Sequence, residues 1–318
     1  MKMKICMLGS GALGSVIGGA LIEAGFEVYL VRRSPELVQI MNSEGLKLRE
    51  GGADRIVKVR AVTDCHGIGP VDLVIVLVKA YDTREAMEHA RPIIGDRTVV
   101  LSLQNGLGAE DIIAEYVRKE QILGGRTYVA GMPLGPGHMI AGIKGKLTVM
   151  GELDGSITER VNRIAGAFNQ AGMETLVSEN IVGLMWDKLL INVATGALSG
   201  ITRLSFGGLY QVKEIRDCAI EAVAEAMAVA KASGVKLETI NPEEAWLKAP
   251  AGLPGEFKAS ILQSLEKGAR TEIDFINGSV VRWGEKCGIP TPVNKTLVAG
   301  VKGIEYRMMH YAEKHRVC

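Results

Sequence analysis

A lysine and an asparagine lie four residues apart in an otherwise apolar stretch of the chain. Lys188 and Asn192 belong to WDKLLIN (186–192), and residues at this spacing project from one face of a helix. Partial burial lowers the pKa of a lysine, which suits an ammonium group that donates a proton in catalysis. The same pattern also fits an amphipathic helix from which Lys188 merely reaches solvent.

Two carboxylates occur in a second apolar stretch, GARTEIDFING (268–278). A carboxylate in apolar surroundings is costly unless it has a partner. We therefore expect Glu272 to bind a substrate hydroxyl or to hold Lys188 in place, whereas Asp274 is equally well explained as an exposed helix charge. Ser260 offers a hydroxyl to a substrate carboxylate, although serines on helices usually face water.

A glycine-rich turn, GSGALG (9–14), follows the apolar run at 5–8 and precedes a helical pattern. This order is typical of dinucleotide-binding turns, in which the first glycine allows the turn, the second admits the pyrophosphate and the third allows close packing. The alternative is a glycine turn that binds nothing. The candidate cofactor ligands are Gly9, Ser10, Gly11, Ala12, Leu13 and Gly14.

The end of the second predicted strand, Glu27 to Val31, indicates which dinucleotide is bound. NAD sites place an Asp or Glu there, but this sequence continues with Arg32 and Arg33. An arginine fork matches a phosphate, so Arg33 is expected to bind the 2′-phosphate of NADP. The alternative is a pair of solvated surface arginines.

Two further candidates follow apolar strands. Lys79 follows the run at 71–78, and Asn105 follows the run at 98–103. Because ligands bind at the carboxyl ends of parallel strands, we expect both residues near the cofactor, with Asn105 orienting the nicotinamide or its ribose. The alternatives are a lysine that extends from a strand end and a simple Asn-Gly turn.

Composition narrows the class of protein. The chain has 318 residues, a formal net charge of +1 and 47% hydrophobic residues, of which few are aromatic. This length predicts two domains, and the balanced charge argues against a nucleic-acid-binding surface. The five scattered cysteines and five scattered histidines show neither a disulfide framework nor metal-ligand spacing. We expect no metal, no signal peptide, no membrane span and a reducing cytoplasm.

The predicted secondary structure changes near residues 178–182. Before this point, β-branched runs alternate with helical patterns, and the segment 126–152 resembles the final, partly antiparallel strands of the same sheet. After it, apolar spacing of three and four predicts long helices at 186–198, 210–232 and 260–286. The expected fold is an α/β Rossmann-type doubly wound sheet (1–180) followed by an all-helical C-terminal domain (181–318).

Taken together, these motifs resemble the 2-dehydropantoate 2-reductase (ketopantoate reductase) family. The resemblance is carried by the glycine turn, Val78-Lys79, QNG (104–106), the WDKL motif with Asn192, and TEID (271–274) with Asn277-Gly278, and it continues to CGIPTPVN (287–294). It implies a cytoplasmic homodimer that reduces a 2-oxo acid with NADPH, in the cleft between the two domains. In the family that reaction converts ketopantoate to pantoate in pantothenate biosynthesis.

The resemblance also implies roles for individual residues. Lys188 is the acid, Asn192 aligns it, and Glu272 binds the substrate. Asn105 and Lys79 lie on the nicotinamide side, and Arg33 lies on the 2′-phosphate. The implied substrate ligands are Asn105, Lys188, Asn192, Ser260 and Glu272.

At two positions the sequence departs from the family pattern. The family carries asparagines where this chain has Gly196 and Phe257, and both contact the hydroxylated substrate. Their loss makes the pocket more apolar and puts the substrate in doubt. Alternatives are a paralogue acting on another 2-oxo or hydroxy acid, a 3-hydroxy acid or opine-type dehydrogenase, and a non-catalytic NADP-binding protein.

Overall fold

The computed structural model describes residues 2–311. Met1 and residues 312–318 lie outside the described residues, and with them His315 and Cys318. The chain divides into two compact units. The first contains the residues up to Gln104 together with Ala109–Ile181, and the second contains Asn105–Gly108 and the residues from Val182 onward.

The first unit contains two sheets. Its strands are β1 (Lys4–Leu8), β2 (Glu27–Val31), β3 (Leu46–Glu50), β4 (Ala53–Val57), β5 (Arg60–Val62), β6 (Leu73–Val76), β7 (Val99–Ser102), β8 (Ile122–Thr127), β9 (Ala130–Gly135), β10 (His138–Gly142), β11 (Thr148–Glu152) and β12 (Thr175–Val177). Eight of them form the main sheet in the order β12-β11-β8-β7-β6-β1-β2-β5. All its neighbouring strands pair in parallel except β8 and β11, which are antiparallel.

Helices cover the main sheet of the first unit. They are α1 (Ala12–Glu23), α2 (Pro35–Glu44), α3 (Thr83–Ala90), α4 (Ala109–Ile113) and α5 (Glu159–Gln170), with 3-10 turns at Ala80–Asp82, Arg91–Ile93 and Lys119–Gln121. Every residue of β6 and of β7 is buried, as expected for parallel strands with both faces covered. The core residues form one cluster on each face of the sheet.

One prediction about the sheet was only partly confirmed. The segment 126–152 was expected to complete a single, partly antiparallel sheet, and β11 does join it antiparallel to β8. However, β9 and β10 pair with each other and leave it. They join β3 and β4 in a separate four-stranded sheet of order β4-β3-β10-β9. The link is the parallel pairing of β3 with β10, which joins strands that are far apart in the sequence.

The second unit is helical. Its helices are α6 (Ile181–Thr202), α7 (Phe206–Leu209), α8 (Lys213–Ala232), α9 (Pro242–Lys248), α10 (Ser260–Glu266), α11 (Asn277–Cys287) and α12 (Pro292–Tyr311), with a 3-10 helix at Ile273–Phe275. The sequence predicted no segment that could cross a membrane. By length and composition alone, α6 is long and apolar enough to do so. However, 78% of its most apolar window is buried inside the protein, as is usual for a core helix.

The prediction of one long helix at 260–286 was wrong. Gly268 adopts a positive φ of 65°, and α10 ends just before it, at Glu266. The backbone resumes as the short 3-10 helix at Ile273–Phe275 before α11 begins. Apolar spacing continues through the break, which is why the pattern resembled one helix. Glu272 therefore lies in a turn and not on a helix face.

Candidate functional site

In the first unit the glycine turn has the geometry that a dinucleotide needs. Gly9 has a φ of +103°, and a Cβ there would lie 2.5 Å from the backbone nitrogen of Val78. A Cβ on Gly14 would lie 2.3 Å from the carbonyl oxygen of Gly9, whereas one on Gly11 would meet nothing within 4 Å. Two glycines thus allow close packing, and the third leaves open space above the turn.

The N terminus of α1 is suited to an anion. Gly11 is its N-cap, and among the described residues no side chain caps it and no acidic residue occupies its first turn. Unpaired N–H groups and the helix dipole favour a pyrophosphate at such a terminus. Ala12 and Leu13 begin the helix. Ser10 is fully buried, and its hydroxyl donates to the carbonyl of Val31 (3.0 Å), which ties the turn to the end of β2.

The two arginines after β2 have different environments. Arg32 is half-buried and its Nη1 donates to the carbonyl oxygen of Ser10 (2.5 Å), and burial lowers the pKa of its guanidinium. Arg33 is 72% exposed and pairs with Asp82 (2.8 Å) and, more loosely, with Glu85 (3.8 Å). Arg32 therefore supports the turn, and Arg33 is the arginine whose side chain reaches solvent.

Lys79 is exposed and precedes the 3-10 helix that begins at Ala80. The buried Gln104 donates to the carbonyl of Val78 and to the hydroxyl of Thr83, both at 2.9 Å. This glutamine fixes the backbone that carries Lys79. Because Gly9 packs against Val78, the structure brings the glycine turn and the Lys79 loop together.

In the second unit, α6 places Lys188 on a half-buried position with buried neighbours on both sides. Trp186 packs edge to face on Trp283 of α11, with ring centroids 6.2 Å apart. The buried carboxylate of Asp187 accepts the backbone N–H groups of Glu238 and Thr239, both at 3.0 Å. The turn of helix that carries Lys188 is therefore anchored from two directions. Asn192, one turn further, is also half-buried.

Asp187 is expected to contribute mainly to stability. Asp187→Ala leaves the buried N–H group of Thr239 and the partly buried N–H group of Glu238 without their acceptor, so we expect the free energy of unfolding to fall by about 1–3 kcal/mol. Urea unfolding measures this loss. Asp217→Ala serves as a control, because this carboxylate is more exposed and forms surface ion pairs of little expected value. Equal stability of the Asp187→Ala and wild-type proteins would contradict the anchoring role.

The structure joins two motifs that are far apart in the sequence. Leu107 donates its N–H to the carbonyl of Phe275 (2.9 Å), and a Cβ on Gly106 would lie 2.2 Å from that same oxygen. Asn105, which is half-buried, and the buried Glu272 therefore lie on two segments in direct contact. This contact explains why Asn105–Gly108 belongs to the helical unit, although the sequence had assigned it to the first domain.

Ser260 is exposed at the first position of α10. The next residue, Ile261, packs on α6: a Cβ on Gly196 would lie 3.2 Å from its Cδ1, and one on Gly200 would lie 2.7 Å from its Cγ2. Phe257 stacks edge to face on Phe206, with centroids 5.3 Å apart. Apolar groups thus occupy the surroundings of both positions at which the sequence lacks the expected asparagines.

Sequence reasoning missed several residues that support these groups. Gln104 was noticed only as part of its motif, and the supporting contacts of Arg32 and Thr271 had no signal in the sequence. Glu305 of α12, which accepts two hydrogen bonds from Thr271, was not noticed at all. Among residues 2–311, no group of three or more His, Cys, Asp or Glu side chains is arranged to hold a metal ion.

Comparison with known proteins gives consistent results over nearly the whole chain. The family described as ketopantoate reductase PanE/ApbA matches residues 5–155, and its C-terminal domain matches residues 180–305. A 2-dehydropantoate 2-reductase of Pyrococcus horikoshii is 34% identical over 303 residues, covering 95% of this chain and 98% of that protein.

Solved structures agree with this result. A PanE/ApbA family ketopantoate reductase from Ralstonia eutropha JMP134 has a TM-score of 0.88 at 35% identity and covers 97% of this chain and all of its own. D-mandelate dehydrogenase, solved with NADH and anilino(oxo)acetate, has a TM-score of 0.88 at 26% identity, covering 96% of this chain and 99% of its own. The chain is therefore an oxidoreductase that belongs to the ketopantoate reductase family.

Proposed function

We propose that this chain reduces a 2-oxo acid to the 2-hydroxy acid with NADPH, and that ketopantoate is one of its substrates. The observation that carries the proposal is the contact between the Asn105 and Glu272 segments, in the same unit as Lys188. Asn105, Lys188 and Glu272, which match the motifs of the family, therefore all lie in the helical unit. In the first unit, the glycine turn and the uncapped N terminus of α1 fit a dinucleotide.

In this proposal the nicotinamide supplies the hydride, and the protein supplies orientation and a proton. The Lys188 ammonium polarises the substrate carbonyl and donates a proton to the oxygen as negative charge develops there. Asn192, one helical turn away, aligns the lysine. Glu272 accepts a hydrogen bond from the substrate or holds the lysine in place, Asn105 orients the nicotinamide ribose, and Ser260 and Lys79 bind polar groups at the edge of the site.

The reaction itself is tested by following NADPH oxidation with ketopantoate and a panel of other 2-oxo acids. Turnover with at least one of them supports the proposal. Binding of NADPH without turnover of any 2-oxo acid would instead favour a non-catalytic NADP-binding protein.

The preference for NADPH rests on Arg33 and on the lack of a carboxylate at the tip of β2. One bidentate contact between arginine and phosphate is worth about 1.5–3 kcal/mol, roughly a 10- to 150-fold difference in Kd. We expect NADPH to bind more tightly than NADH by this factor, and Arg33→Ala to remove most of the difference. Calorimetry with both cofactors measures it.

Two further variants sharpen that experiment. Asp82 holds Arg33 in an ion pair and competes with a phosphate, so Asp82→Asn is expected to raise the affinity for NADPH. Arg60→Ala removes another exposed arginine, on β5, whose partner is Glu27, and should change neither Kd. Equal Kd values for the two cofactors in the wild type, or an unchanged preference in Arg33→Ala, would refute the assignment.

A second candidate is an NAD-linked dehydrogenase acting on an aromatic 2-hydroxy acid. It is supported by the likeness to D-mandelate dehydrogenase solved with NADH, by the apolar surroundings of Gly196 and Phe257 and by the engagement of Arg33 with Asp82. Tighter binding of NADH than NADPH, together with preferred turnover of phenylglyoxylate, would favour it over the first candidate.

Two parts of the proposal concern the setting of the protein. We infer a cytoplasmic location, which is consistent with free thiols at Cys6, Cys65, Cys218 and Cys287. We also infer a homodimer from the sequence resemblance. Sedimentation equilibrium of the purified protein tests the dimer.

A further inference from the structure

Glu305 is a buried carboxylate in the middle of α12 to which the proposed mechanism gives no task. It is 2% exposed, and a buried carboxylate is costly unless hydrogen bonds satisfy it. Its Oε1 accepts the backbone N–H of Thr271 at 2.7 Å and the hydroxyl of Thr271 at 2.6 Å. Both donors belong to the residue immediately before Glu272.

The hydrogen bonds continue through the turn that carries Glu272. The Thr271 hydroxyl, which donates to Glu305, also accepts the N–H of Ile273 at 3.3 Å. Glu272 thus lies between Thr271, which carries this hydroxyl, and Ile273, which donates to it. Its own carbonyl accepts the N–H groups of Phe275 (2.9 Å) and Ile276 (3.1 Å).

The same segment supports the Asn105 loop, since Leu107 and Gly106 contact the Phe275 carbonyl. One buried carboxylate on α12 therefore fixes a turn that bears Glu272 and supports the loop that bears Asn105. Local bonds alone would leave this turn weakly determined, because it follows the helix break at Gly268.

A second contact from α12 reaches the same segment but differs in burial. Lys302 pairs with Asp274 at 2.5 Å and lies 3.5 Å from Oε2 of Glu305, and its side chain is 38% exposed. Lys302 therefore contacts both the buried carboxylate and the turn, and it belongs to the same network. The matched control is Lys295, an exposed lysine on the same helix.

We propose that Glu305 is a positioning residue, which acts on the reaction by fixing the turn that presents Glu272. This inference rests on the proposed 2-oxo acid reductase function. Small displacements of a positioned group reduce rates strongly, so loss of the Glu305 hydrogen bonds should be visible in kinetics with ketopantoate or phenylglyoxylate as the substrate.

Glu305→Met removes the acceptor at similar volume, and we expect kcat/KM to fall about 10- to 100-fold with the Kd for NADPH unchanged. Glu305→Gln keeps an amide oxygen that can accept both hydrogen bonds from Thr271, so it should retain most of the activity. Lys295→Met should behave like the wild type. Thr271→Val, which loses only the hydroxyl, should be intermediate, and Thr271→Ser should restore activity.

A double-mutant cycle separates positioning from general damage. If Glu305 acts through Glu272, then Glu305→Met should have less than about a threefold effect in a Glu272→Gln background, because coupled residues are not additive. Full additivity of the two losses would overturn the inference. Should Glu305→Met fail to fold, Thr271→Val in the same background replaces it, and the same criterion applies.

A second measurement does not depend on activity. Amide hydrogen exchange at residues 271–276 should be at least about tenfold faster in Glu305→Met than in the wild type, and unchanged in Lys295→Met. Unchanged exchange in Glu305→Met would refute the positioning role. If the wild type reduces no 2-oxo acid, the proposed function fails, and the exchange result still decides whether Glu305 holds the turn.

Discussion

Replacement of Lys188 by alanine is expected to lower kcat for 2-oxo acid reduction by about 10²- to 10⁴-fold, the usual contribution of a positioned acid. The proposal assigns cofactor binding to the glycine turn and Arg33, and it gives Lys188 the substrate carbonyl. The Kd for NADPH should therefore change little. Steady-state kinetics at saturating NADPH and cofactor titration measure the two quantities separately.

The matched control is Lys231→Ala, because Lys231 is an exposed lysine in the last turn of α8. It should keep the turnover of the wild type. Circular dichroism establishes that Lys188→Ala is folded. A folded Lys188→Ala protein that turns over like the wild type would remove the lysine from the mechanism. Asn192→Ala should have a smaller effect, because an aligning amide neither gives nor takes the proton.

The glycine turn and the strand and helix around it were largely predictable because their signals are local. A glycine with positive φ, a helix that begins three residues later and a strand of five residues lie within one short stretch of chain. The close approach of Gly14 to the Gly9 carbonyl lies within that turn. The fold class, the family and the assignment as an oxidoreductase are confirmed by the comparisons.

The contacts that hold the Glu272 turn in the second unit could not be predicted in the same way. Glu305 bonds to a residue 34 positions away, and a glutamate on an amphipathic helix ordinarily faces water. The predicted helix at 260–286 failed because apolar spacing continues across a backbone break. Tertiary contacts, not local preference, decide the conformation of this segment.

Apolar side chains surround the two positions at which the resemblance predicts asparagines. The smallness of Gly196 and Gly200 allows Ile261 of α10 to approach α6, and Phe257 has joined an aromatic pair with Phe206. We call the apolar surroundings of these two positions the repacked region. The resemblance implies that a substrate hydroxyl is bound at these positions, while Lys188 and Glu272 are retained.

This repacking leads to the prediction about the substrate. A site built to hydrogen-bond a substrate hydroxyl rejects an analogue without it by about 10⁴-fold or more, because its buried polar groups are then left unpaired. Because this chain lacks the two amides, we expect its kcat/KM for ketopantoate to exceed that for such analogues by far less than this factor. We also expect it to accept 2-oxo acids with apolar or aromatic side chains. The measurement is kcat/KM for ketopantoate against phenylglyoxylate and 2-oxoisovalerate, which lack the hydroxyl.

A pair of variants ties the result to the repacked region. Gly196→Asn alone should not restore discrimination, since the new Cβ would lie 3.2 Å from Cδ1 of Ile261 and the amide would compete with that side chain for space. Gly196→Asn combined with Ile261→Ala makes room for the amide and should shift the ratio of kcat/KM values toward ketopantoate. If the wild type already prefers ketopantoate by about 10⁴-fold, then other groups replace the missing asparagines and the apolar pocket does not set the specificity.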